Sequence, residues 1–385
     1  MGGRGPAGQR AGRHGPRGRE AARAHPLRPR RPTPARHPRR SRLPLDRRRL
    51  RGAVLRAPRR FPRRFSGGLV TDIPRFADLP FVEGTDERHA WDVWGRDDEL
   101  GSLNRIGPEQ VLAATRLVRE GRIIPLSLRL DEPDPGLFAS REPYRQTVET
   151  LDVGRDDKLD NFYLQYSTQW DGLRHIKFRD HGYWGGRSEE QLDSSDDLGI
   201  DRFSRRGPIG RGVLVDVARY RERQGAPLAG DESFAVTGAL LDEVARADGI
   251  EFRPGDFLVL RTGWLEWYRA QSRERRLEQR GSMNGGMSMP GLDGARETAE
   301  WLWDNGITGI AADNLAVEVL PVDRVKGFQH RRLIPLLGMV VGELFHLPEL
   351  SAYCAESGRY EFLLTSGALP VPRGVGSPAN AYAIV

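Results

Sequence analysis

The stretch SFAVTGALLDEVARADGIEFRPGDFLVLRTGW, residues 233–264, carries the reading of the fold. Its first half reads as a helix that ends at Gly249, glycine being the residue that best tolerates the left-handed turn after a last helical residue. The segment IEFRPGD then leads into FLVLRTGW, an apolar run of strand length. The same alternation recurs on both sides. Upstream, GPEQVLAATRLVREGR (107–122) reads as a helix, with Pro108 in the first turn, Val111, Leu112, Thr115 and Val118 on one face, and Gly121 as the stop. IIPLSLRL (123–130) and RGVLVDVARY (211–220) read as strands. Downstream, the helix ARETAEWLWDNG (295–306) precedes the buried-looking strand ITGIAAD (307–313), and LIPLLGMVVGEL (333–344) has a strand in its middle. Strands alternating with helices define the α/β class.

The charge is divided unevenly. Residues 1–69 hold 22 Arg, no Lys and two acids, whereas the remainder holds 38 basic and 51 acidic residues. The basic character of the whole chain therefore belongs to its first segment, and the body is acidic. That segment is built from Arg, Pro, Gly and Ala and has too little apolar surface to offset the entropy of ordering, so a disordered tail is expected. Arg clusters of this kind can hold phosphate. With only three Lys in the chain, the composition fits better the translation of GC-rich DNA upstream of a start at Val70. No nucleic-acid partner is expected.

The body, residues 70–385, is long enough for one large domain with a substantial core. The single cysteine, Cys354, excludes an internal disulfide framework and fits a reducing cytoplasm. The longest apolar run contains Glu343 and is too short to span a membrane. Three polar stretches, 131–160, 185–207 and 268–292, read as long loops or lids. Among them GSMNGGMSMPG (281–291) reads as a mobile surface loop.

Candidate chemistry centres on LQYSTQWDGLRH (164–175). If residues 162–170 form a strand, Gln165, Ser167, Gln169 and Asp171 share one face, and Tyr166, Thr168 and Trp170 the other. Gly172 then permits a turn that folds His175 back toward Asp171. Farther on, His330 and Glu343 bracket an apolar segment, and a buried acid there must be paired, protonated or metal-bound. Asp171, His330 and Glu343 together make a two-carboxylate, one-imidazole set suited to a divalent cation. Trp94 and Trp170 are candidate aromatic walls for a planar substrate, with core packing an equal alternative for Trp170. His89 and His346 read as structural, His181 as a loop residue, and Trp264 and Trp267 as core. Asp97, Asp98 and Glu99 read as fixing a turn. No Walker loop, dinucleotide fingerprint, Cys-x-x-Cys or nucleophile elbow occurs.

These residues resemble the metal-dependent cyclase family of hydrolases, which includes bacterial kynurenine formamidase and isatin hydrolase. The segments TQWDGLRH, GRGVLVDVARY, PGDFLVLRTGW, GIAADNLAVEVLP, HRRLIPLLGMVVGEL and LPVPRGVGSPANAYAI follow in the family's order across essentially the whole body. The resemblance implies one domain with a mixed sheet flanked by helices, of the swivelling β/α/β kind. The family signature is His-x-x-x-His-x-Asp-x-x-x-His. Gln165 and Gln169 stand where its first two His stand, Asp171 on its bridging Asp, and His175 on its proton-carrying His. His330 and Glu343 match the distant ligands. The resemblance thus implies a one-metal variant holding Mn²⁺ or Zn²⁺ through Asp171, His330 and Glu343, with His175 catalytic and Gln165 and Gln169 near the substrate. It also implies hydrolysis of an amide, cyclic amide or lactone, as in the formamidase step of tryptophan catabolism, and a homodimer or larger assembly. Ring closure on a polyketide-like substrate, or metal binding without catalysis, are the alternatives the same residues allow.

Overall fold

A computed structural model of the chain describes residues 73–282 and 286–385. The expected tail over residues 1–69 and the proposed start at Val70 lie outside the described residues. Nine strands form the main sheet: β1 (Ile123–Pro125), β2 (Gln169–Asp171), β3 (Gly210–Asp216), β4 (Phe257–Arg261), β5 (Gly309–Ala312), β6 (Val340–Glu343), β7 (Glu361–Ser366), β8 (Gly376–Pro378) and β9 (Ala381–Ile384). Their spatial order is β1-β9-β7-β3-β4-β5-β6-β2-β8. The central run β3-β4-β5-β6 is parallel, and every pairing outside it is antiparallel. The fold is α/β with one mixed sheet flanked by helices, as the sequence predicts.

Each central strand is apolar on both faces because helices cover both. On one face Val215, Leu258, Leu260, Ile310, Ala312 and Val341 pack with Leu241 and Val244 of helix Gly238–Asp248 and Ala299, Leu302 and Trp303 of helix Arg296–Asp304. On the other, Leu214, Phe257, Val259, Ala311 and Phe345 pack with Leu350, Tyr353 and Cys354 of helix Pro348–Ser357. The opening stretch folds as its pattern requires. Thr237 caps helix Gly238–Asp248 by accepting from the Leu240 N–H, and Gly249 closes it at φ 68°.

Several elements differ from expectation, each for a local reason. RGVLVDVARY stops being a strand at Asp216, whose side chain accepts from the Arg219 N–H and starts helix Val217–Arg223. The helix expected over 107–122 ends at Thr115, and the Gly121 N–H instead bonds the Val385 carbonyl. IIPLSLRL is a strand only over Ile123–Pro125. The polar stretch 185–207 contains two short helices, Glu189–Ser194 and Ile200–Arg206, and 268–292 contains helix Arg273–Ser282. Residues 131–160 contain a hairpin of strands Arg145–Thr150 and Arg155–Asp160, exposed on both faces. In the methionine-rich loop, Met287 and Met289 are buried with Leu137, Trp264, Tyr268 and Leu344, so that part is core rather than a mobile surface.

The strand expected over 162–170 shrinks to β2, residues 164–168 forming a turn and bends. Trp170 is fully buried among Phe203, Phe257 and Phe345, and its Nε1 donates to Ser366 Oγ at 3.0 Å. It lies on the sheet face opposite Asp171, which removes it as a substrate wall. Trp170→Ala is expected to cost about 3–5 kcal/mol through loss of buried surface and an unfilled cavity, read from the denaturant midpoint at unchanged slope.

Candidate metal centre

The site is assembled at the seam where the sheet changes from parallel to antiparallel. β6 runs parallel to β5 and antiparallel to β2, with Glu343 opposite Gln169 and Val341 opposite Asp171. Alternation puts Gln169, Asp171, Val341 and Glu343 on one face. Gln169 Nε2 donates to Glu343 Oε2 at 2.6 Å across the two strands. His330, at the start of helix His330–Leu333, brings Nε2 to 3.2 Å from Glu343 Oε1 and 3.8 Å from Asp171 Oδ2. The ligand atoms of Asp171, His330 and Glu343 all lie within 4.8 Å of one another, and all three residues are buried.

This set fits a divalent cation. Metal–ligand bonds of about 2.1 Å in a tetrahedral arrangement place neighbouring ligand atoms roughly 3.4 Å apart, and the distances from His330 Nε2 bracket that value. Gln169 Oε1 is buried with no hydrogen-bond partner, a cost that a cation or its water would relieve. Two carboxylates and one imidazole suit manganese or zinc alike.

A residue not singled out in the sequence completes the centre. Glu318, 1% exposed, holds its Oε1 2.5 Å from His330 Nδ1 and accepts from the Gln329 N–H at 2.7 Å. A carboxylate on Nδ1 fixes the ring and leaves the Nε2 lone pair for the site. The signal was present in LAVEVLP, where one acid stands in an apolar run, as Glu343 does in VVGEL. The preceding Val317 sits at φ 59° and Leu344, after Glu343, at φ 57°. Left-handed backbone is rare for branched side chains and concentrates where function demands it.

Of the remaining predicted residues, two sit beside Asp171. His175 follows the Gly172 turn, its N–H bonded to the Gly172 carbonyl at 3.0 Å, with Nε2 3.6 Å from Asp171 Oδ2. Its side chain is 21% exposed while those of the three candidate ligands are buried, so it faces the mouth. Gln165 arrives from the turn rather than from a strand. Its Nε2 donates to Asp171 Oδ1 and lies 3.3 Å from His175 Nδ1. Gly376, paired with Asp171 from β8, makes room for it: a Cβ there would come within 2.8 Å of Gln165 Cγ. Trp94 packs against Trp184 and Trp303 on the apolar layer over one face of the sheet, so core packing accounts for it. His181 stacks on Phe178, and Asp98 fixes its turn by accepting from the Leu100 and Gly101 N–H groups.

The electrostatics separate these groups. Burial pushes the Glu343 carboxyl up to about 7, with the Asp171 charge adding to it. Burial also acts against ionised Asp171, but His175, His330 and the Gln165 hydrogen bond hold it below the usual carboxylate range. Burial would lower His330, yet Asp171, Glu318 and Glu343 raise it well above an ordinary histidine. His175 is lowered by burial, which the Asp171 charge only partly opposes.

Fold and site together define an α/β protein with a buried carboxylate–imidazole centre at a sheet seam. The chain belongs to the cyclase family: the family model described as "Putative cyclase" matches residues 107–319, a span that includes Asp171, His175 and Glu318. A solved structure described as a novel cyclase is 33% identical, covering 77% of this chain and 99% of its own, with a TM-score of 0.67. Isatin hydrolase A from Labrenzia aggregata, bound to benzyl benzoate, is 15% identical over 72% of this chain and 98% of its own, with a TM-score of 0.49. An isatin hydrolase bound to the product analogue thioisatinate is 16% identical over 73% and 99%, also at 0.49. No curated protein matches the chain.

Metal binding must displace protons from Glu343 and His330, both raised. Affinity is therefore expected to fall as pH drops through about 7 and to rise toward alkaline pH. Manganese titrations followed by calorimetry at about pH 6 and about pH 8 read this directly. Glu318→Gln is expected to weaken binding about tenfold to a hundredfold.

Proposed function

We propose that the chain is a metal-dependent hydrolase of an amide, cyclic amide or lactone bond. The observation that carries this reading is the placement of partly exposed His175 against Asp171, on the solvent side of a buried divalent-cation set. Asp171, His330 and Glu343 would hold one ion, manganese or zinc, which supplies Lewis acidity toward a water and a carbonyl. His175 does the proton work. Its lowered pKa keeps the imidazole neutral near pH 7, so it takes a proton from water as oxygen adds to the carbonyl carbon. The bond from that carbon to nitrogen or ester oxygen then breaks, and His175 returns the proton to the departing atom. Asp171, 3.6 Å from Nε2, stabilises the imidazolium between the two transfers. Gln165 orients Asp171, and the orphaned Gln169 oxygen faces no protein donor and is free to accept from water.

The glutamines also set the stoichiometry. Neutral amides donate too little charge to hold a second ion against water. The chain is expected to bind about one ion, measured by elemental analysis after purification without chelator. The double change Gln165→His with Gln169→His is expected to gain capacity for another, because imidazole suits zinc and manganese. Two ions in the unmodified chain would overturn this account.

His175→Ala is expected to keep its metal while losing on the order of a hundredfold or more in turnover of a formanilide, lactone and ester panel. Parallel loss of metal and activity would make His175 a ligand instead. In the unmodified enzyme kcat/KM is expected to fall on the acid side with an apparent pKa below the ordinary histidine value of 6.5, since protonation removes the base.

A further inference from the structure

The polar stretch 131–160 brings a cation to this site. Arg141 lies in the stretch 131–160, just before the exposed hairpin. Its N–H bonds the Phe138 carbonyl at 3.1 Å, and its guanidinium lies over the Phe138 ring at 4.2 Å. Phe138 in turn packs against the apolar cluster that contains Leu137 and Leu344, the residue after Glu343. One guanidinium nitrogen, Nη1, donates to the Gln165 carbonyl. Gln165 is the residue whose side chain bonds Asp171 and reaches His175. Arg141 is thus fastened through one nitrogen and one ring face to the turn that carries Gln165, half-buried. Its charge also bears on His175 and on Glu343, lowering both.

The charge balance says what this group is for. With a divalent ion bound, His330 would coordinate as the neutral imidazole, and the three carboxylates of Asp171, Glu318 and Glu343 would leave one negative charge over. Such a centre repels anionic substrates unless a cation meets them at the mouth. Some buried arginines are paired with acids, Arg211 with Asp256 and Glu361 and Arg332 with Glu87, and others, Arg105 and Arg174, bond backbone carbonyls well away from the centre. Arg141 has no carboxylate partner among the described residues, and its planar fork suits bidentate contact with a carboxylate.

The geometry points to Arg141 as the residue that binds a carboxylate on the substrate, so that the preferred substrates are amides or lactones bearing a carboxylate near the scissile bond. This rests on the hydrolase reading above. It goes beyond that reading by naming an acidic substrate class and the side chain that selects it.

The test compares manganese-loaded wild type, Arg141→Lys and Arg141→Met, with thermal melting to verify folding. N-formylanthranilate and formanilide share the scissile formamide and differ in one carboxylate. Wild type is expected to favour the acid, and Arg141→Met to raise the KM of the acid about tenfold to a hundredfold more than that of formanilide, any change through the Gln165 turn being shared by both substrates. Arg141→Lys is expected to fall between, having charge without the fork. Calorimetry with benzoate and benzamide gives a readout independent of turnover: wild type should prefer benzoate, and Arg141→Met should lose most of that preference. A preference for benzoate that survives in Arg141→Met would overturn the assignment, because the carboxylate would then bind elsewhere. So would wild type that does not distinguish benzoate from benzamide. If neither formamide is turned over while the Arg141-dependent preference persists, the hydrolase reading fails and the carboxylate site stands.

Discussion

The centre depends on one constraint: carboxylates crowded into a dry space need positive charge. Asp171 and Glu343 lie almost sealed from water on adjacent strands, with His330 between them and Glu318 behind it. Burying such groups costs several kcal/mol each unless they are paired. Without an ion, His330 gains a proton and Glu343 tends to keep one, and the centre becomes a hydrogen-bonded cluster. An ion replaces those protons with a single fixed charge. Acid, imidazole and acid in this arrangement are hard to rationalise as packing alone, since apolar residues of similar volume would fill the space at less cost.

The sheet supplies the rigidity that the centre needs. The parallel strands β3 to β6 are buried on both faces and tied by helices to two separate apolar layers. β2 and β8 add antiparallel pairs at the edge next to β6. Ligands from β2 and β6 therefore rest on hydrogen-bonded backbone, whereas Gln165, His175 and Arg141 come from turns. The groups that hold charge are fixed, and the groups that would meet substrate ride on segments able to adjust.

Much of this was legible in the sequence. Strands β4, β5 and β6 and the helices before β4 and β5 follow from apolar runs punctuated by Gly249 and Gly306. His330 and Glu343 were readable because an acid or imidazole at the end of an apolar run demands a partner, and Asp171 from the polar face it shares with Gln165 and Gln169 and from the family resemblance. Glu318 satisfied the same criterion and was passed over, because its partner, the far nitrogen of His330, is visible only in three dimensions. Trp170 stood open between wall and core in the sequence; alternation already put it opposite Asp171, and its packing against Phe203, Phe257 and Phe345, visible only in three dimensions, decides for the core. The helix at Val217 was hidden by a β-branched run, and only the Asp216 cap reveals the break. The helices in 189–206 are short and polar, with too few turns to show a period.

The register between β2 and β6 has a further consequence. Because facing alternates, a slip of one residue would turn Trp170 toward His330 and Glu343 and drive Asp171 into the pocket formed by Phe203, Phe257 and Phe345. Both errors are ruinous, one for chemistry and one for the core. The indole therefore acts as a proofreading key for the ligand. A chain that seats its tryptophan has already aligned its aspartate, and failed alignment ends in an unstable molecule rather than a folded but inactive one.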